Sequence, residues 1–152
     1  MNTLMQGEDL KFLQEHFTLQ YEGEYGNMFV GKDANIIICE MTQPYTPIED
    51  FMNLLEQKRE LIKKYGCEKF IFDKRAIKGF HQPSMEWYYL TWKVEMYNNF
   101  KLAKHRKLFT TEAWFLKCIE AGRAEIRRKD PGSIVHTLDI KVCKDLKDAY
   151  FN

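Results

Sequence analysis

The chain has 152 residues, of which 45% are hydrophobic and 14% aromatic, so it is long and apolar enough to fold around a buried core. Its 23 lysines and arginines nearly balance its 22 aspartates and glutamates, and the formal net charge of +1 argues against a dedicated nucleic-acid-binding protein. No stretch approaches the roughly 20 apolar residues of a membrane span, and the first residues lack the features of a signal peptide.

The cysteines Cys39, Cys67, Cys118 and Cys143 are widely scattered and form no Cys-x-x-Cys pair. Cys39 lies in a strand-like run and Cys118 in a helix-like run, where a reduced cysteine acts as a small hydrophobic side chain. We therefore expect free, buried thiols in a reducing cytoplasm, with neither disulfides nor a zinc site.

The first third of the chain carries strand patterns. Residues 1–16 are polar and are expected to form an N-terminal extension with at most a helical turn, before a domain that spans residues 17–152. Residues 17–21, 27–30 and 34–41 are strand-like runs separated by turns. They predict an antiparallel meander.

The strongest helix signal follows at residues 46–66. Thr46, Pro47 and Glu49 match a capping box with proline in the first turn, and Gly66 ends the helix. Its apolar side chains share one face: Ile48, Phe51, Met52, Leu55, Ile62 and Tyr65. Its charged side chains are expected largely elsewhere: Glu56, Lys58, Arg59, Glu60 and Lys63. This helix is predicted to pack one face on a sheet.

Residues 69–72 form a short apolar run that ends at Asp73, and the strand–helix–strand order implies a right-handed crossover between parallel strands. A loop then leads to an aromatic helix at about residues 83–98. Its apolar side chains are Trp87, Tyr88, Tyr89, Leu90, Trp92, Val94, Met96 and Tyr97. They occupy more than one face, so the surplus must be covered by the N-terminal segment, a second subunit or a ligand.

The last third begins with a basic segment that we expect to be a solvated face: Lys101, Lys104, His105, Arg106 and Lys107. It leads into a strand end at residues 108–110. Thr111 is expected to cap a third helix, whose apolar positions are Trp114, Phe115, Cys118 and Ile119. A final strand is predicted within residues 134–142, and Asp145 is expected to cap a short terminal helix.

The predicted order is β-β-β-α-β-α-β-α-β-α. It describes a single α/β domain with a mixed sheet of about five to six strands, an antiparallel edge and about four helices.

This order and three local patterns resemble the STAS-like (SpoIIAA-like) proteins, relatives of the sporulation anti-sigma-factor antagonists. The patterns are an amphipathic helix feeding a strand at residues 60–73, a charged strand end before a Trp-bearing helix at residues 73–92, and a closing strand and helix at residues 140–149. The resemblance covers about residues 17–151. It implies a non-enzymatic fold used for protein contacts or for sensing a small ligand.

The resemblance departs from its pattern after Asp73. In phosphorylated STAS domains the corresponding Asp is followed almost at once by a regulatory Ser or Thr at a helix start, whereas here Lys74 and Arg75 follow. The nearest hydroxyl at a helix start is that of Ser84, which we expect to be a helix cap.

Two candidate sites emerge. The first is an anion or partner site at the carboxyl end of a parallel strand: Asp73, Lys74, Arg75, Lys78, His81 and Ser84. Its alternative is a loop held together by Asp73 through backbone hydrogen bonds. The second is a partner surface on the aromatic helix, with Trp87, Tyr88 and Trp92 as contact residues. Its alternatives are cover within the fold and a ligand pocket.

No catalytic or metal-binding motif is present: the four histidines show no HExxH or HxH spacing, and GxSxG, P-loop and GxGxxG patterns are absent. We therefore expect a non-enzymatic cytoplasmic regulatory or protein-interaction module without a cofactor, with a protein partner and possible homodimer, and with neither nucleic acid nor a membrane span. The alternative is a domain that binds a small hydrophobic or anionic ligand between the aromatic helix and the sheet.

Overall fold

The computed structural model describes residues 2–79, 81–110 and 112–152 and shows a six-stranded sheet in which spatial order follows chain order. The strands are β1 (Phe17–Glu22), β2 (Gly26–Gly31), β3 (Ile36–Met41), β4 (Lys69–Asp73), β5 (Lys104–Leu108) and β6 (Asp139–Cys143). The first three pair antiparallel and the rest join in parallel. The predicted α/β class with a mixed sheet and an antiparallel edge is confirmed.

The helices are α1 (Gly7–His16), α2 (Ile48–Tyr65), α3 (Gln82–Trp87), α4 (Lys93–Phe100), α5 (Ala113–Lys129) and α6 (Leu146–Phe151). A π-helical turn (Tyr88–Trp92) joins α3 to α4, and we call these three segments the aromatic helix. A 3₁₀ turn (Ile134–Thr137) precedes β6. Of the helices in the described ranges, none has the length and apolar character needed to cross a bilayer.

Two apolar layers enclose the sheet, because successive side chains of a strand point to opposite faces. On one face, Ile37 and Cys39 of β3 share a core with α2, the aromatic helix and Ile126 of α5. On the other face, Ile36 and Ile38 pack with residues of α1 and α6. The three helical crossovers between parallel strands therefore share one face, and the terminal helices cover the other.

Strand β5 is buried despite its sequence, Lys-His-Arg-Lys-Leu. His105, Arg106 and Lys107 are each only 1% exposed, so the expectation of a solvated basic face is wrong for these three residues, whereas Lys101 and Lys104 are exposed as expected. The parallel register places Arg106 beside Ile71, on the face covered by α1 and α6. His105 and Lys107 consequently point to the face covered by the aromatic helix.

The N-terminal extension is more ordered than its polarity indicates. Gly7–His16 is a ten-residue helix, whereas the sequence predicted at most a helical turn. Leu13 of this helix and Met5, which precedes it, are buried. This segment covers the face opposite the aromatic helix, so it does not supply the cover that the aromatic side chains need.

Helix α2 has the predicted end but not the predicted start. Gly66 adopts a left-handed φ of 77° and its N–H donates to the carbonyl of Ile62, which stops the helix. The capping box does not form: the Thr46 hydroxyl is buried and makes no hydrogen bond to any residue that the structure describes. Lys58, expected among the exposed charges, is fully buried, whereas Tyr65 is exposed.

Helix α5 buries a narrower stripe than predicted. Phe115, Ile119 and Ile126 face the core, but Trp114 is 55% exposed and Cys118 also faces solvent. The apolar stripe is therefore displaced by part of a turn from the expected one. The predicted cap, Thr111, lies outside the described residues.

The last helix and the free state of the thiols agree with expectation, but Cys118 is exposed where a buried thiol was expected. All four cysteines lie in described ranges and are free; Cys39 and Cys143 are buried and Cys67 is half-buried. Asp145 caps α6, because its carboxylate accepts the backbone N–H of Asp148 at 2.8 Å.

Candidate functional site

Asp73 and Arg75 form a charged clamp at the carboxyl end of β4. The two oxygens of Asp73 accept from the backbone N–H, Nε and Nη2 of Arg75 at 2.8–3.1 Å. Nη1 of Arg75 donates to Asp9 of α1 at 2.6 Å, and the other oxygen of Asp9 accepts the backbone N–H of Leu146 at 3.1 Å. Hydrogen bonds from Arg75 to Asp73 raise the pKa of this arginine above its ordinary value. The guanidinium is thus already neutralised by two carboxylates.

Because Asp9 joins α1, the β4 loop and α6, replacing it should loosen the ends of the chain. We expect Asp9→Ala to lower the free energy of unfolding by about 1–2 kcal/mol, since it removes a charge-assisted bond and orphans the Leu146 amide. Urea denaturation measures this loss. Glu8→Ala, at an exposed position of the same helix, is the matched control and should leave stability within about 0.5 kcal/mol. Equal effects of the two substitutions would contradict the clamp.

His81 takes the role expected of Ser84. Its Nδ1 accepts the backbone N–H of Ser84 at 3.3 Å and lies 2.8 Å from the Ser84 hydroxyl, so His81 is the N-cap of α3. Acceptance of the amide proton requires an unprotonated Nδ1, which places the ring proton of a neutral imidazole on Nε2. Ser84 lies inside the first turn, and its expected role as the cap is wrong.

The aromatic helix is covered mainly within the fold. Tyr88 and Trp92 are buried, with ring centroids 5.4 Å apart, and Tyr88 meets Phe72 of β4 at 5.3 Å. Trp87 is half-buried and packs edge-on against Phe51 of α2. Of the three predicted contact residues, only Trp87 therefore has accessible surface. The expected protein partner and homodimer stay predictions.

Cationic side chains from four segments converge on the rings of Tyr88 and Tyr89, and we call them the cationic cluster: Lys74, Lys93, Lys107 and Arg123. Nζ lies 4.0 Å from the Tyr89 centroid in Lys93 and 4.5 Å in Lys107. Nζ of Lys74 lies 4.9 Å from the Tyr88 centroid. The π-helical turn supplies both tyrosines, and such turns are frequent at functional sites.

The cluster has no carboxylate partner among the described ion pairs and hydrogen bonds. Nζ of Lys93 and of Lys107, two guanidinium nitrogens of Arg123 and the hydroxyl of Tyr89 are buried without a hydrogen-bond partner in the described chain. Glu120 of α5 acts on Arg123 electrostatically, but it is exposed. Several donors therefore face the interior with no acceptor, an arrangement that proteins rarely tolerate without a purpose.

Burial is the main cause of the lowered pKa values of the three cluster lysines. Burial, with a smaller contribution from the positive charge of Arg123, lowers the pKa of Lys74 to about 7. Burial also holds the pKa of Lys93 and of Lys107 well below the ordinary lysine value, with Lys74 and Arg123 adding repulsion. These directions follow from desolvating ammonium groups close to one another.

Two cavities adjoin the cluster, and Tyr89 lines both. The apolar cavity, of about 90 Å³, has Lys74 on its wall among Tyr88, Phe109, Phe115 and Ile119. The polar cavity, of about 250 Å³, is lined by Arg123, Arg127 and His136 together with apolar side chains of α5 and the 3₁₀ turn. Basic groups thus line both of the cavities that share Tyr89.

Most of the cluster was missed at the sequence level. The sequence signal was a cation at a position whose spacing from apolar or buried residues places it on a buried face. On β5, Lys107 is two residues from buried His105, so both side chains point to the same face. On α2, Lys58 lies three and four residues after Leu55 and Leu54 on the apolar face, and its Nζ lies over the rings of Phe70 and Trp92. A cation at such a position indicates burial rather than solvation.

Comparisons of the chain with protein-family models, curated proteins and solved structures found no match. In the part of the chain that the structure describes, no three His, Cys, Asp or Glu side chains are grouped so as to hold a metal ion. The geometry of the cationic cluster therefore carries the functional argument.

Proposed function

We propose that the protein is a non-enzymatic domain that binds a small anionic ligand between the aromatic helix and the sheet. The cationic cluster is the site, and the STAS-like resemblance supports a sensing or regulatory use of it. One observation carries the proposal: cations from a strand, two helices and a loop meet around Tyr88 and Tyr89, and no described carboxylate forms a hydrogen bond or ion pair with them.

The physical reason is the cost of an unpaired buried donor. A polar group buried without a partner costs about 1–3 kcal/mol, and a buried charge costs more. An anion in the site supplies acceptors to Lys93, Lys107 and Arg123 at once. Such charge-assisted bonds are stronger than bonds between neutral groups, and a guanidinium holds carboxylate or phosphate through two parallel bonds.

The test is a titration with phosphate, pyrophosphate and 4-methylbenzoate against sodium chloride of equal ionic strength. At a ligand concentration of about 100 times Kd, the free energy of unfolding is expected to rise by about 2.7 kcal/mol, measured by thermal and urea denaturation. Isothermal titration calorimetry gives Kd directly. A shift no larger than that with chloride for every anion would contradict the proposal.

Two variants localise the binding. Lys107→Met and Arg123→Met each remove one cation of the site, and each is expected to weaken anion binding at least tenfold, as loss of a charge-assisted bond implies. Lys63→Met, at an exposed position of α2, is the matched control and should leave Kd unchanged. Unchanged affinity in both cluster variants would place the bound anion elsewhere.

Binding is also expected to depend on pH. In the free protein, burial and the neighbouring cations hold the lysine pKa values low, and a bound anion raises them, so the complex takes up protons. Anion affinity should therefore fall as pH rises from 7 to 9. Calorimetry in two buffers of different ionisation enthalpy measures the proton uptake.

A further inference from the structure

We propose that Lys74 forms an imine with a carbonyl group of the ligand, which makes the ligand class a small anionic aldehyde or ketone. This inference rests on the anion site proposed above and assigns a separate part of the ligand to the apolar cavity. It concerns Lys74, which differs from the other cluster lysines because it lines the apolar cavity.

Lys74 is the cluster lysine on the wall of the apolar cavity. It follows β4 directly, and its side chain is half-buried, whereas Lys93 and Lys107 are fully buried. Its Nζ lies 4.6 Å from the Phe72 centroid and 5.5 Å from the Phe109 centroid. Among the described residues no carboxylate pairs with this amine. It is therefore held among apolar groups and is open to a molecule in the cavity.

The surroundings favour the nucleophilic form. An amine attacks a carbonyl only when it is neutral, and a lysine becomes neutral near pH 7 when it is desolvated beside another cation. Both conditions hold for Lys74: burial lowers its pKa to about 7, and Arg123 adds repulsion. A substantial fraction of this amine is consequently unprotonated at neutral pH, whereas exposed lysines are almost fully protonated.

The reaction balances without an oxidant or a reductant. The Nζ lone pair attacks the carbonyl carbon, a C–N bond forms as the carbonyl π bond breaks, and one proton passes from nitrogen to oxygen to give a carbinolamine. The hydroxyl then leaves together with the second nitrogen proton as water, and the nitrogen lone pair forms the C=N bond. The net change is amine plus carbonyl giving imine plus water.

Arg123 of the cluster indicates the chemical group expected at the other end of the ligand. Arg123, which repels protonated Lys74, lines the polar cavity, which shares Tyr89 with the apolar cavity, and is suited to a carboxylate or phosphate. The aromatic walls at Tyr88, Phe109 and Phe115 are suited to a flat apolar body between the two groups. A small molecule with a carbonyl at one end and an anion at the other matches both halves.

The probe is 4-formylbenzoate, with benzaldehyde as the analogue that lacks the anion and 4-methylbenzoate as the analogue that lacks the aldehyde. Wild-type protein at pH 7 is incubated with each aldehyde and sodium cyanoborohydride, which converts an imine to a stable secondary amine. Peptide mass mapping then locates the label. We expect 4-formylbenzoate to label Lys74 at least tenfold faster than any other lysine, and an excess of 4-methylbenzoate to suppress this labelling.

Variants test the assignment. Lys74→Met should abolish the dominant label, whereas Lys63→Met should label like wild type and bind 4-methylbenzoate as wild type does. Slow labelling spread over surface lysines, together with normal binding of 4-methylbenzoate, would overturn the imine and leave the anion site standing. Lys74 labelling that is equally fast with benzaldehyde would overturn the anionic ligand class. Absence of both labelling and binding would overturn this inference and the proposed function together.

Discussion

Lys58→Met is expected to raise the free energy of unfolding by about 2–4 kcal/mol at pH 7, although most core substitutions lower it. Lys58 is fully buried against Phe70 and Trp92, and its Nζ has no hydrogen-bond partner in the described chain. Burial lowers the pKa of Lys58 well below its ordinary value of 10.5, which means that the ammonium form of this side chain is destabilised in the folded protein relative to the unfolded chain. Methionine fills a similar volume without this penalty.

The sign of the pH dependence follows from the same shift. The folded-state pKa lies below the unfolded-state pKa, so the destabilisation is complete below the folded-state value and disappears as pH rises through about 10.5. The advantage of Lys58→Met, measured by urea denaturation, should therefore shrink between pH 8 and pH 10. The exposed Lys63→Met serves as the control and should change stability by less than about 0.5 kcal/mol. A Lys58→Met protein less stable than wild type would show that the buried amine is stabilised by a partner.

Arg106→Met should have the opposite effect, a loss of about 2–4 kcal/mol of unfolding free energy. Arg106 is as deeply buried as Lys58, but its guanidinium is bonded: Nη1 donates to the carbonyl of Asp139 at 2.9 Å, and Nη2 to the Asp139 carboxylate at 3.0 Å and the carbonyl of Asn152 at 2.7 Å. Removal orphans acceptors at the junction of β5, β6 and the end of α6, and breaking a buried pair is strongly destabilising.

Lys104→Met provides a control on the same strand, because Lys104 is exposed, and its effect should stay near zero. Chemical denaturation monitored by tryptophan fluorescence compares the two variants. The Asp139 pKa supplies a second readout: the hydrogen bond from Arg106 holds it below its ordinary value, so it should rise in Arg106→Met. Wild-type stability in Arg106→Met would mean that these bonds contribute nothing net.

The sheet and most helices were predictable because their patterns are local. The β-branched run at residues 36–38, the apolar run at residues 70–72 and the glycine at position 66 each indicate their structure within a few residues. The prediction for strand β5 failed for a physical reason: charge normally indicates solvent exposure, and nothing within Lys-His-Arg-Lys-Leu shows that this strand pairs inside the sheet, between β4 and β6.

The candidate site was predictable only in outline. The surplus apolar surface of the aromatic helix was expected to need cover from the N-terminal segment, a second subunit or a ligand, but the sheet and α2 supply much of that cover and the N-terminal segment packs on the opposite face. The cations around Tyr88 and Tyr89 come from positions 74, 93, 107 and 123, and only the packing of separate elements brings them together. Arg75 was a reasonable candidate, but its partner Asp9 lies 66 residues away and could not be inferred from local sequence.

The strand order, identical in space and along the chain, also bears on how the fold is reached. Each strand pairs with its immediate predecessor, so no strand has to be threaded between two others that have already paired. The ordering entropy is then spread over a series of modest loop closures, whose individual cost grows only slowly with loop length. Assembly can therefore proceed by successive addition to the β1–β3 meander, whereas the contact between α1 and α6 joins segments far apart in the chain and has the largest loop to close.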